Sequence, residues 1–133
     1  MTTEKGLDVS RGFLVTAVIY IVIGMGIGIG MGATQNFALK GAHVHANLAG
    51  FVLMTLFALT YRSFPAMAGR RLAQAQFWVF QLGAFLMNGA LVLMLSGIVS
   101  EARIVPVLVP GELLVLAGMV LFGWLVLQST REG

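Results

Sequence analysis

Residues 13–33, 44–61, 77–98 and 107–127 form four apolar runs, and among them the only charged side chain is Glu112. Runs of this length exceed what a soluble core helix needs and match the ~20 residues that cross a bilayer as a helix. In hydrocarbon every backbone amide must be satisfied within its own segment or in a closed barrel. The runs lack the apolar–polar alternation of barrel strands, so each is read as a helix. Composition agrees: 59% of residues are hydrophobic and 10% charged, and the mean hydropathy is +0.95, outside the range of soluble domains. The expected fold is all-α, an integral membrane four-helix bundle. It forms a single membrane domain over 1–133, with helices over about 13–33, 43–62, 76–98 and 107–128 and turn or charged residues in the breaks.

Lys5 and Arg11 ahead of the first run give it the look of a signal peptide. The run is too long for such a segment and no small-x-small cleavage site follows, so it is expected to stay as helix one. Lys5, Arg11, Arg62, Arg70, Arg71 and Arg131 fall on one side of a four-span topology, against Lys40 and Arg103 on the other. The first side is expected to be cytoplasmic, with both termini inside. This bias also accounts for the net charge of +3, and no nucleic-acid partner is implied. With no cysteine in the chain, disulfides, thiolate metal sites and covalent haem attachment are excluded.

The first run contains IGMGIGIGMG, with glycine at 24, 26, 28, 30 and 32. A dinucleotide fingerprint needs a strand before it, and here the glycines lie inside a membrane span. At 100° per residue Gly24, Gly28 and Gly32 share one face and Gly26 and Gly30 lie nearly opposite, so the helix is thin on two sides. Such faces serve packing within the bundle, or they admit a flat cofactor or a second protomer.

Polar side chains inside a membrane are candidates for function because they are costly there. Here they are His43, His45, Asn47, Gln81, Asn88 and Glu112. Gln81 and Asn88 are seven apart and are expected to join helices from one face of the third span. Glu112 follows Pro110 and Gly111 at the expected start of helix four. It is read either as a first-turn acid or as part of a polar cluster with the histidines, which would offer copper or zinc a site of His43, His45 and Glu112. The two imidazoles are two residues apart and point about 200° away from one another if both are helical, so one is expected to face the interior. His43 pairs with Asn47 at i, i+4, and His45 shares its face with Leu48, Ala49 and Val52.

The stretch VHANLAGFVLMTLFALTYRSFP resembles the second helix of subunit I in the haem-copper oxidase superfamily, above all the nitric oxide reductase large subunit. His45, Asn47, Leu48, Phe57, Tyr61 and Pro65 carry the likeness. With Phe77 and Trp78 after the second break, the chain also resembles small bacterial four-helix proteins described as cytochrome c oxidase subunit I-like. The resemblance implies haem b with His45 as an axial ligand and His43 and Asn47 near it. It also implies a multi-pass place in a bacterial inner membrane, and electron transfer or diatomic-gas binding with a respiratory electron-transfer partner. The superfamily's further metal-binding histidines have no counterparts here, so a complete oxidase or reductase is excluded. For the second axial position, Met31 and Met94 lie at about the height of His45, and thioether ligation of haem iron is known chemistry. The same His45 of a second copy is the other source, which would make a homo-oligomer, most simply a dimer. The competing reading is a non-haem copper or zinc protein, or an accessory subunit of a respiratory complex.

The charge split makes a direct prediction about orientation. A cysteine introduced as Arg70→Cys should react with an impermeant thiol reagent only from the cytoplasmic side, and labelling confined to the outer side would reverse the topology.

Overall fold

The computed structural model describes residues 6–131, and these are almost entirely helical. Five helices follow in order: α1 Val9–Thr34, α2 Lys40–Ser63, a short α3 Pro65–Ala68, α4 Arg71–Leu95 and α5 Glu101–Arg131. Residues 1–5 and 132–133, with Lys5 among them, lie outside the description. The four long helices have 24 residues or more, about 36 Å at 1.5 Å per residue, enough for the ~30 Å hydrocarbon core of a bilayer. Their outer faces are covered with exposed Leu, Ile and Val, such as Val22, Ile29, Leu56, Leu113 and Val120. This is the surface of a multi-pass membrane protein.

The helices reach past the apolar runs that announced them. Asp8 starts α1 by accepting the Arg11 amide at 3.1 Å, a side-chain cap that frees the helix from beginning at the first apolar residue. Gln35, with φ of 53°, ends it in a left-handed turn. Helix α5 begins at Glu101, not near 107, and runs through Pro106 and Pro110. Both prolines are exposed, so their rings point away from α4 and the helix continues past the two missing amide donors.

Two antiparallel hairpins make the bundle, α1 along α2 and α4 along α5. In lipid there is no hydrophobic force between helices, and close backbone approach takes its place. Gly83, Gly111 and Gly118 supply it in the second hairpin. A Cβ at Gly83 would lie 2.6 Å from the Val115 amide nitrogen, one at Gly111 2.8 Å from that of Met87, and one at Gly118 2.9 Å from Phe80 Cβ. The hairpins then meet over an aromatic core near the end that carries both termini. There Phe13 of α1 stands 4.8 Å from Phe77, Phe57 of α2 4.8 Å from Phe80, and Phe57 4.5 Å from Phe122 of α5, most of them tilted or edge to face. At the far end the core is smaller, built from Ala42, Ala49, Met87, Ala90, Leu91, Ile104 and Leu108.

Within α2, residues Ala46–Leu53 are π-helical. At 100° per residue the buried Ala42, Ala46 and Ala49 would lie about a quarter turn from the buried Met54, Phe57, Ala58 and Tyr61. The wider π turn holds one extra residue and takes up that difference. Both halves of α2 therefore face the same bundle.

Gly83→Ala should push α4 from α5 and lower stability by about 1–3 kcal/mol. Nothing lies within 4 Å of a Cβ at Gly26, so Gly26→Ala should leave stability unchanged or raise it slightly. Denaturation in mild detergent checks the pair, and equal losses would refute the assignment of the packing seam.

Candidate functional site

Helix α2 begins at Lys40, three residues before the first histidine, so both imidazoles are helical and point to opposite sides. His43 is the inward one. Its Nδ1 lies 2.6 Å from the carbonyl oxygen of Gly24 on α1. A carbonyl only accepts, so Nδ1 carries the proton and donates it, and Nε2 is left as the acceptor. That nitrogen receives the Asn47 side-chain amide at 3.3 Å. The glycines of α1 make room for this pair: a Cβ at Gly28 would come 2.8 Å from His43 Cε1, and one at Gly24 would strike Asn47 Oδ1. The Gly24 and Gly28 face thus serves packing of α1 on α2, while Gly26, Gly30 and Gly32 have nothing against them.

His45 is exposed on the outer face of α2, beside the exposed Leu48 and Val52. Its Nδ1 lies 2.8 Å from the Gly41 carbonyl one turn back. By the same reasoning Nδ1 donates and Nε2 is the acceptor, here without a partner among the described residues. A ligand held by His45 would sit on the outside of this chain, not between its four helices.

The remaining candidates are dispersed. Met31 is buried and lines a cleft of about 390 Å³ with Gly30, Leu39 and Leu95, and neither histidine borders it. Met94 packs against the far-end core. Because α5 starts at Glu101, Glu112 is a mid-helix residue and not the first-turn acid the sequence suggests. It is exposed next to Leu113 and Leu116. Among the described residues no group of three or more His, Asp or Glu side chains comes together to hold a metal ion, so His43, His45 and Glu112 do not form a common site.

Of the two amides expected to join helices, Gln81 does so, donating from Nε2 to Thr16 Oγ1 of α1 at 2.6 Å. Asn88 does not. Its Nδ2 donates to Ala84 of its own helix at 2.9 Å, and its buried Oδ1 has no partner. The polar link that sequence reasoning missed is Gln76, fully buried. It accepts the Tyr61 hydroxyl at 2.9 Å and donates to the Gly118 carbonyl at 3.3 Å, tying α2, α4 and α5 together. Tyr61 and Gln76 flank the same break on consecutive spans, so they lie at one depth, and that was the available signal.

Comparison with protein-family models, with curated proteins and with solved structures finds no match to this chain.

The hydrogen bonds predict one tautomer for both rings. Nitrogen NMR of histidine-labelled protein without added cofactor, at a pH where the rings are neutral, should show the proton on Nδ1 of His43 and His45. A proton on Nε2 of His43 would contradict the Gly24 contact.

Proposed function

We propose that this chain is a haem b-binding protein of a bacterial inner membrane, with both termini in the cytoplasm, used for electron transfer or for binding a diatomic gas. The observation that carries this reading is His45: an imidazole on the lipid-facing surface whose Nδ1–H is held by a backbone carbonyl and whose Nε2 is free. A carbonyl partner on the far nitrogen is the usual support of a metal-binding histidine, because it orients the ring and fixes the tautomer. The donor set fits iron ligation from one side.

Among the described residues no second ligand is paired with His45. Nε2 of His43 is taken by Asn47, Met31 lines a cleft that His45 does not border, and Met94 packs against the far-end core. His45 of another copy would therefore hold the haem as well, in a symmetric homodimer across the outer face of α2. Leu48 and Val52 beside it exclude water. Haem held by these residues would supply a one-electron iron couple or a site for a diatomic gas. With two histidines in total a single chain has no ligands for a binuclear centre, so the role is that of an electron carrier or sensor working with a respiratory partner. The dispersed His43, His45 and Glu112 give no comparable support to a copper or zinc site.

Protein purified after growth with haem should show a Soret band. His45→Ala should lose the pigment, and His43→Ala should keep part of it, because His43 shapes α2 without offering a free nitrogen. Mass in mild detergent with haem counted per chain should give a dimer with one haem for two chains. Unchanged pigment in the His45 variant would overturn the haem assignment, and a monomer with a full haem would overturn the shared site alone.

A further inference from the structure

Glu112 is a carboxyl group within the span of α5, exposed among Leu113 and Leu116, and it has no hydrogen-bond or ion-pair partner among the described residues. Ionisable side chains inside a membrane face protein or a water-filled cavity, and they pair. His45 poses the same question from α2, with an exposed ring whose Nε2 has no partner among the described residues.

The two side chains lie at one depth. Helices α2 and α5 both run from the far end toward the termini, and Phe57 meets Phe122 at 4.5 Å. Counting back from that contact at ~1.5 Å per residue, with the surplus residue of the π turn discounted, His45 stands about 17 Å toward the far end and Glu112 about 15 Å.

They also share a face. On α2, His43 points at α1, and the buried Ala46 and Ala42 follow round the helix into the bundle. At 100° per residue His45 comes next, on the side away from α1. On α5, Gly111 and Gly118 touch α4, Phe122 and Met119 come next against the aromatic core, and Glu112 lies just beyond them, on the side away from α4. One lipid-facing seam, between α2 and α5, therefore carries an acid and a base that do not bond to each other within the chain. A two-fold rotation about the bilayer normal keeps depth and turns this face onto itself, so that α2 of each copy meets α5 of the other.

We propose that the chain forms a symmetric dimer on this face, with Glu112 of each copy hydrogen-bonded to His45 Nε2 of the other. A carboxyl group and an imidazole nitrogen need one proton between them, whichever brings it, and lipid offers neither group another partner. Leu48 and Val52 on α2 and Val109 and Leu116 on α5, all exposed, are covered around the two bonds. The pairing needs no haem, and iron bound at the same nitrogen would displace it.

The test uses the haem-free full chain in phosphatidylcholine vesicles. The sequence has no cysteine, so Arg131→Cys gives one site for donor and acceptor dyes, and energy transfer is followed as lipid dilutes the protein. The parent should dimerise, and Glu112→Leu or His45→Leu should raise the protein-to-lipid ratio at half-assembly by about tenfold. Glu112→Gln, whose amide donates to Nε2, should keep most of the affinity. The deciding arm mixes the two Leu variants. Neither alone can form the bond, but together they form one, so mixed dimers should exceed their statistical share. A general loss of packing gives no such preference. A monomeric parent, or Leu variants that associate with themselves as well as with each other, would overturn the proposal. Haem is absent throughout, so neither result bears on the pigment assigned to His45.

Discussion

Helices in a bilayer gain nothing from hiding apolar side chains from one another, since lipid is as apolar as leucine. What holds this chain together must be contact at short range and hydrogen bonds that have no water to compete with them. The close approach of α4 to α5 at Gly83, Gly111 and Gly118 meets the first requirement, and the other elements are arranged around it. Gly118 has a second part, because its carbonyl accepts Gln76 Nε2. The residue that brings the backbones close also exposes the acceptor that fixes α2 through Tyr61.

The same logic separates the two ends of the bundle. Near the termini, rings from all four long helices interlock and Gln81 reaches Thr16 across the hairpins, so α1 and α4 are clamped. Toward the far end the core carries Ala, Met, Leu and Ile in place of rings, and α1 is held through the His43 and Asn47 contacts with α2. The cleft lined by Met31 lies in this thinner half. Ringed with aromatics at one end and more thinly packed at the other, the bundle carries both imidazoles where the helices are least crowded.

The number of spans was legible because hydrocarbon admits so few backbone solutions, and the four apolar runs leave little choice. Helix ends were less so. Apolarity stops at Val107, but the α5 backbone starts at Glu101 because charged residues at a membrane boundary remain helical, and prolines whose rings face outward do not end a helix. This error moved Glu112 from a first turn into the middle of a span. The opposed direction of the two histidines followed from their spacing alone. Which one turned inward did not, because it depends on where Gly24 and Gly28 stand on another helix. Gly83, Gly111 and Gly118 escaped notice for a related reason: Gly111 and Gly118 share a face of α5, but that face meets Gly83 only once α4 is laid against it.

The π-helical turn in α2 amounts to one surplus residue, accommodated between the half that carries the imidazoles and the half that carries the aromatic core. Such a turn is costly to keep, and the chain could be relieved of it by losing a single amino acid anywhere in Ala46–Leu53. The shortened helix would be regular, and at 100° per residue its two halves would still face the same bundle, because the residue removed is the one that the wide turn accommodates. His43 would stay against the glycines of α1. A change that restored the regular turn at full length would instead rotate the far half by about a quarter turn, so the surplus residue and the wide turn are kept together or lost together.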